Sequence, residues 1–474
     1  MKKNLKGLGV LATSILSIAA VVSLASCGSG KPTIMIWGPA DHETIYLEAA
    51  KEYATANSWD VDFAYGSSGD AGAYSAMSID PQAGAEVYTF ANDMLSNLNR
   101  IGALSKVTGD NLSWIKANNV EASTEAGKIG DGYYAYPVTA DNGYYMYFNK
   151  SAFEGTSIWD SKTNSLKDGY TLRDMYAALD EKGGDWANSY VTWGIGDSWY
   201  DSGVFFATGG DYKVTYDEKG SQTDAKCWFG YQTAADGTQD YTIGLEAAQS
   251  MKNTFLNVDG SANKHFIYSD ATSGTHLNDN ITKYLKDKEH PLAAAISGTW
   301  KSVEIKSAWG DNASATFLPT LEGRTTAQGG ANKEYQMKTF CGFKMMGVNP
   351  YSKYAQGDST GDNLTKLHAF AKYLTDTDFQ IKRYQSTGAG PSNLAAQKSD
   401  AVKNDYALIG LNAQYAKGYR VQDSVPSNYW TPIQKFGAGL YNDMTQGVKG
   451  TYDTEAALKR ALKQLQYDIE SASK

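Results

Sequence analysis

The sequence predicts an α/β fold with doubly wound sheets, and two observations carry that prediction. Short apolar runs that end in glycine or proline are followed by stretches of helical periodicity, and the alternation recurs along the early chain. At 474 residues, the chain is also long enough for two or more domains with a large apolar core. A content of 42% hydrophobic and 20% charged residues is ordinary for a soluble globular protein. The 33 tyrosines and 11 tryptophans are less ordinary, and such side chains suit wet, flat contacts as well as cores.

The elements follow in order. In "PTIMIWGPADHETIYLEAAKEYATAN", Ile34 and Ile36 mark a buried parallel strand that Gly38-Pro39 ends. Asp41 is then placed to cap a helix whose Ile45, Ala49 and Tyr53 share one face. "WDVDFAYG" reads as a second strand, and "AEVYTFAND" as a third before the helical "MLSNLNRIGALSKV". In such sheets ligands bind beyond the carboxyl ends of the strands. The segment 131–150, "DGYYAYPVTADNGYYMYFNK", places strand-like runs on either side of Asp141-Asn142-Gly143. After that turn, Tyr144, Met146 and Phe148 alternate with Tyr145 and Tyr147 across the two faces. Further helices are expected at "TLRDMYAALDEKG", "TIGLEAAQSMKNTFLN", "NLTKLHAFAKYLTD" and "TEAALKRALKQLQYDIES". In the last, Leu458, Leu462 and Leu465 line one face, and Asp453 or Thr454 caps it. "YGSSGDAGAYS" and "AQGDSTGDN" read as surface loops, and no repeat of fixed period is visible.

The leader is a separate unit. Lys2, Lys3 and Lys6 precede a mostly apolar run over residues 7–25, followed by Leu24-Ala25-Ser26-Cys27. That order of charge, apolar core and small residues is a secretory signal, and the run is short for an uncleaved membrane span. The cysteine after Leu-Ala-Ser resembles a bacterial lipobox, which implies cleavage of residues 1–26 and a diacylated Cys27 on a linker at 27–32. Two acyl chains anchor stably where one is marginal. The remainder is expected outside the cytoplasm, held to the outer face of the membrane at the cell surface or in the periplasm.

Several function classes are set aside. Removing the three leader lysines from 43 Lys and Arg leaves 40 against 52 acids, a net charge of −12, which does not favour nucleic acid. Five scattered histidines, and no CxxC or HExxH, give no metal-ligand spacing, and no cofactor is expected. Cys227 and Cys341, far apart in sequence, do not make a disulfide framework, and whether they pair is left open. GxSxG, Walker A and GxGxxG motifs are absent. A glycosidase needs only two carboxylates at the right separation, so that class stays as an alternative.

Four stretches bring aromatics beside turn-forming or acidic residues. They are "TFANDM" with Phe90, Asn92 and Asp93, and "GDSWYDSG" with Asp197, Trp199 and Tyr200. The others are "ISGTW", with Trp300 after an apolar strand, and "SNYWTP", with Tyr429 and Trp430. Any one of these rings could be core. Their shared setting next to Gly, Asn, Asp, Ser or Pro, where chains turn, favours a site.

With these residues the chain resembles the solute-binding lipoproteins of bacterial ABC transporters, in the family that includes maltose-binding protein. The resemblance is carried by "IMIWGPAD", "AEVYTFAND", "YAYPVTADNGYYMYFNK", "ISGTW", "ATFLPTLEG", "SNYWTP" and the terminal "TYDTEAALKRALKQ", and it spans residues 31–474. It implies two lobes, each a doubly wound sheet flanked by helices and discontinuous in sequence, with the ligand cleft at the hinge. Lobe one would be 31–140 plus 330–398, and lobe two 141–329 plus 399–474. The hinge would be crossed near 140, near 320–335 and near 395–402. The resemblance further implies a monomer without catalytic residues that closes on an oligosaccharide and docks ABC permease subunits.

By matching position, Asp41 stands at a sugar-contacting carboxylate, and His42 replaces the lysine that follows it in maltose-binding protein. Phe90 and Asp93 stand at a stacking aromatic and a hydroxyl-binding acid, while Met94 replaces the following arginine. Asp141, or Asn142, falls at the hinge acid. Asp197 with Trp199 or Tyr200 falls at the second-lobe aromatic. Trp300 and Trp430, the latter beside Tyr429, match two tryptophan platforms. A sugar ring offers an apolar C–H face to such rings and a hydroxyl rim to Asp and Asn. Burying about 100 Å² on each of four aromatics yields about 10 kcal/mol. Immobilising a ligand costs about 4–15 kcal/mol, so hydrogen bonds and closure must add to stacking. The alternatives are ferric iron on adjacent tyrosines such as Tyr133-Tyr134 or Tyr144-Tyr145, a surface glycosidase or lyase, and an adhesin.

Overall fold

The computed structural model of the protein describes residues 30–70, 72–216, 222–268, 277–423, 425–445 and 452–471. The expected signal peptide, residues 1–26, and the expected lipidation site Cys27 lie outside these residues.

Two sheets organise the chain. Their strands, in chain order, are β1 (Thr33–Gly38), β2 (Asp62–Ser67), β3 (Val87–Ala91), β4 (Tyr136–Asn142), β5 (Tyr145–Asn149) and β6 (Tyr190–Thr192). They continue with β7 (Phe266–Ile267), β8 (Leu292–Ser297), β9 (Ala313–Thr316), β10 (Thr339–Val348) and β11 (Tyr419–Val421). In the first sheet β2, β1 and β3 run parallel, and β10 pairs antiparallel with β3 on one side and β4 on the other. The second sheet has the order β7-β6-β8-β5-β9, with β5 antiparallel to both its neighbours. The fold is the expected mixed α/β one.

Local chemistry explains the elements. Ile34 and Ile36 of β1 are fully buried and point into one apolar layer. Its partner helix, Glu43–Ala56, buries Tyr46, Ala49 and Ala50 against the same layer. The expected cap at Asp41 is not made. A one-turn 3-10 helix over Ala40–His42 precedes this helix, and neither it nor the α-helix has a side-chain cap. In the last helix, Glu455–Ser471, Leu458, Leu462 and Leu465 are buried as the spacing predicts. Thr454 accepts from the Ala457 amide at 3.2 Å, so the threonine is the cap.

The chain passes from the first sheet to the second between Asn142 and Tyr145, and back between Thr316 and Thr339. It passes again between the helix Thr377–Thr387, whose Phe379 joins the first sheet's core, and the helix Tyr406–Lys417, whose Leu411 joins the second. The first and last passages are fastened together, because the Ala140 amide donates to the Gly390 carbonyl at 3.1 Å. One departure concerns residues 419–421, expected in lobe two. They run parallel to the first residues of β10, Thr339–Cys341, and so extend the first sheet toward the second. The cause is backbone pairing along a strand that outruns its partner β3.

Candidate functional site

Beyond the carboxyl ends of β1, β2 and β3 lie the turn at residues 40–42, the loop after Ser67 and the 3-10 turn Asn92–Met94. The loop folds down onto the strand ends. The Gly69 amide donates to the Gly38 carbonyl at 3.3 Å, and the Ala91 amide to the Asp70 carbonyl at 3.2 Å. Asp70 also accepts from the Thr89 hydroxyl at 2.5 Å. Sequence reading took this segment for a plain surface loop and missed Asp70. Its only sequence signal is its place just past a parallel strand.

Asp41 is exposed and lies 4.0 Å from His42. Burial lowers the His42 pKa, against the pull of the Asp41 carboxylate, so the imidazole is neutral near pH 7. The Arg383 guanidinium reinforces that lowering. Arg383, from the helix Thr377–Thr387, is itself only 1% exposed and donates to the Val138 carbonyl at 2.5 Å.

Asp93 sits in a largely desolvated position. Burial raises its carboxyl pKa while Lys344 of β10 lowers it, and its Oδ1 has no hydrogen-bond partner among the described residues. Its neighbour Asn92 is engaged in the scaffold. The Asn92 side-chain amide donates to the Gln422 carbonyl at 2.5 Å and its oxygen accepts from the Phe343 amide at 2.9 Å, pinning β11's exit to β10.

Asp141 is buried at the first passage. Its Oδ2 accepts from the Gly390 amide at 2.7 Å, and a Cβ on Gly390 would press on the Asp141 side chain at 2.8 Å. Burial raises its pKa, while Gly390, Thr139, Arg383 and Lys344 draw it down. The carboxylate thus fastens the first passage to the last. Asn142 is half-buried against Gly342 and Gln422.

The aromatics divide into platform and support. Trp199 is half-buried, with one face on Phe340 at 4.8 Å and an interplanar angle of 20°. Trp430 stands 6.2 Å from Trp199 and 5.9 Å from Phe340. Trp300 is 45% exposed and arches over Gly298, where any Cβ would strike its ring. The adjacent Thr299 hydroxyl reaches the Asp141 carbonyl at 3.4 Å, which sets this turn at the hinge. Asp197 caps the helix Ser198–Thr208 by accepting from the Trp199 amide at 3.0 Å, and so aims that tryptophan.

Three expected ligand contacts are corrected by burial. Phe90 is fully buried, packed 5.8 Å from Tyr88 in the first sheet's second core layer, with no face for a ligand. Tyr429 is fully buried, bonds the Ser202 hydroxyl at 2.9 Å and packs edge-on to Trp430 at 4.8 Å. Tyr200 is 5% exposed and packs on Tyr144 at 4.9 Å. Each rests on the sheet side of its turn, because these rings complete cores that the short strands cannot close alone.

Iron ligation by adjacent tyrosines does not fit the geometry. Tyr144 and Tyr145 are both fully buried, with their hydroxyls on the Tyr200 carbonyl and the Tyr147 hydroxyl respectively, while Tyr133 donates to Glu125 at 2.5 Å. No group of three or more His, Cys, Asp or Glu among the described residues could hold a metal. Cys227 and Cys341 are buried free thiols, and burial pushes Cys341 up to about 12.

Two surface concavities, of about 580 and 620 Å³ around Trp59, hold none of the expected ligand residues. One of about 480 Å³ is lined by Asn92, Glu121, Glu125, Tyr419 and Asp423 and borders the turn that carries Asp93.

The family model described as bacterial extracellular solute-binding protein matches residues 48–409, well over half of the chain. No curated protein sequence matches. Among solved structures, one determined with acarbose is 22% identical, covering 94% of this chain and 100% of that one with a TM-score of 0.67. The maltodextrin-binding protein MalE1 of L. casei BL23, without ligand, is 20% identical with the same coverage and TM-score. The maltose-binding periplasmic protein MalE of Listeria monocytogenes, in complex with maltose, is 17% identical with a TM-score of 0.60, covering 93% and 98%. At these identities the likeness is one of fold.

Proposed function

The chain belongs to the bacterial extracellular solute-binding proteins, a family of binding proteins rather than enzymes, and from that premise we propose that it captures an oligosaccharide for an ABC importer. The observation that carries the sugar reading is the Trp199–Phe340–Trp430 group at the passage between the sheets, together with an Asp93 oxygen left unpaired past the end of β3. Flat rings take the C–H face of a pyranose, and a desolvated carboxylate takes its hydroxyls. Structural neighbours described with acarbose, maltose and maltotetraose support the same class.

Trp199, Trp300 and Trp430 serve as platforms. Asp41, His42, Asp70, Asp93 and Asn142 supply the polar rim, with Asp141 and Asp197 holding hinge and helix. The two sheets close on the ligand about the three passages, and the closed form docks the permease. Cys27 carries the lipid that keeps the protein at the membrane.

Isothermal titration calorimetry with maltotetraose, acarbose and a panel of neutral oligosaccharides tests this reading. Binding at micromolar Kd, about −8 kcal/mol, supports it. No heat with any glycan, alongside binding of another solute class, overturns it.

A further inference from the structure

The three platform tryptophans are not supported alike. Trp199 leans on Phe340, and Trp430 lies against Phe340 and Tyr429. Trp300 is 45% exposed and has no aromatic neighbour among the described residues. Its indole folds back over Gly298, so the pose of this ring is the pose of the turn at residues 298–302.

Side chains hold that turn at both ends. The Gly298 carbonyl accepts from the Lys301 amide at 3.1 Å, which closes the 3-10 turn Thr299–Lys301 that carries Trp300. The same carbonyl accepts from the Tyr147 hydroxyl at 3.0 Å. A carbonyl cannot donate, so Tyr147 gives its proton here and accepts one from the Tyr145 hydroxyl bonded to it. At the far end, the Ser302 carbonyl accepts from the Tyr406 hydroxyl at 2.6 Å. The Tyr147 and Tyr406 rings pack edge-on at 5.8 Å, so one pair of rings reaches both ends. On the flank, Lys301 donates to Thr282 at 2.8 Å and to Glu304 at 2.7 Å.

The strand register explains how the phenols get there. Across the antiparallel ladder, Tyr147 of β5 faces Ala295 of β8 and Tyr145 faces Ser297. These small partners leave room on one face for two large rings at the carboxyl end of β8. Packing alone does not call for the hydroxyls. Tyr145 and Tyr147 are fully buried, and phenylalanine would fill the same space without the cost of desolvating a hydroxyl.

We infer that Tyr147 and Tyr406 are positioning residues for the Trp300 platform, fixing both ends of its turn so that the indole stands ready for a sugar ring. This deepens the carbohydrate reading above and rests on it. The gain is preorganisation: a ring already held in its bound pose loses little freedom when the ligand arrives.

The test is a double-mutant cycle read by calorimetry with maltotetraose, or with the tightest neutral oligosaccharide of the panel. Tyr147→Phe and Tyr406→Phe are made in the full chain and again in a Trp300→Ala background, each with a melting curve. Each is expected to weaken binding about fivefold in the parent and less than twofold in the Trp300→Ala background. Equal losses in the two backgrounds mark a general effect on the fold and overturn the inference, as do losses below twofold in the parent. Tyr406 is half-buried, so its variant carries the test if Tyr147→Phe does not fold.

A ligand-free measurement separates this inference from the carbohydrate reading. With fluorotryptophan incorporated, the Trp300 fluorine resonance, assigned through Trp300→Phe, should shift or broaden in both tyrosine variants. The resonance of Trp59, which packs on the first sheet's core, should stay in place. If the parent binds no glycan, the carbohydrate reading falls and the fluorine resonance alone judges the positioning role. An unmoved Trp300 resonance overturns that role whatever the parent binds.

Discussion

Trp199 lies face to face with Phe340, ring centroids 4.8 Å apart and planes inclined by 20°, although 141 positions separate them in sequence. Phe340 opens β10, the strand that enters the first sheet, while Trp199 belongs to a helix of the second. The pair therefore couples the platform to the passage between sheets.

Trp199→Ala is expected to weaken glycan binding at least about tenfold, or 1.4 kcal/mol, since it removes the platform face. Phe340→Ala should do so as well and should also destabilise the fold by about 3–5 kcal/mol, because it empties a fully buried site. Phe90→Leu separates core from site. It should lower Tm and leave Kd within twofold, and a lost affinity would return Phe90 to the ligand. Calorimetry with paired melting curves reads all three.

Trp300 differs from Trp199 in having no aromatic neighbour among the described residues and 45% exposure. Trp300→Ala should cost affinity with a Tm change of less than a few degrees. Gly298→Ala should reproduce the affinity loss with the tryptophan present, because a Cβ there strikes the indole and turns it aside. Quenching of tryptophan fluorescence by titrated sugar would distinguish a displaced ring from an absent one.

Cys227 and Cys341 are 1% exposed, and burial raises both thiols. A neutral, buried thiol reacts slowly. Ellman's reagent should find no reactive thiol on either cysteine in the native protein and both after unfolding in guanidinium. Rapid native labelling, or a mass shift on reduction, would contradict the structure.

The legible part of the fold was what neighbouring residues encode. Gly38-Pro39 ends β1, and the alternation after Gly143 marks β5, so the first passage could be read at Asp141–Asn142. Burial was not legible. Phe90, Tyr200 and Tyr429 sit beside turn residues as Trp199 and Trp430 do, and only tertiary packing decides which ring closes a core. Asp70 gave no signal as a site beyond its place just past a parallel strand. Arg420 reaches Asp211 across 209 positions, and local pattern does not report such contacts.

Asp201 supplies a pH dependence with a definite sign. It is fully buried beside Gly437, accepts from the Gly196 amide at 3.0 Å through Oδ2, and leaves Oδ1 unpaired. Burial, with Asp197 adding, raises its pKa well above the ordinary carboxyl value, so the folded protein holds this proton where the unfolded chain has released it. Past about pH 4 the folded state therefore holds more protons than the unfolded chain, and the linked stability falls by up to about 1.4 kcal/mol per pH unit until the folded group ionises. Asp93 and Asp141 are raised in the same sense, whereas Asp160 and Asp168 are lowered and act oppositely, so the parent's profile is a composite. Asp201→Asn keeps an oxygen for the Gly196 amide and removes this one titration. Its Tm relative to the parent should climb between pH 4 and pH 7, measured by differential scanning calorimetry at several pH values. A difference that is flat across that range would mean Asp201 is ionised in the fold, and its raised pKa would be wrong.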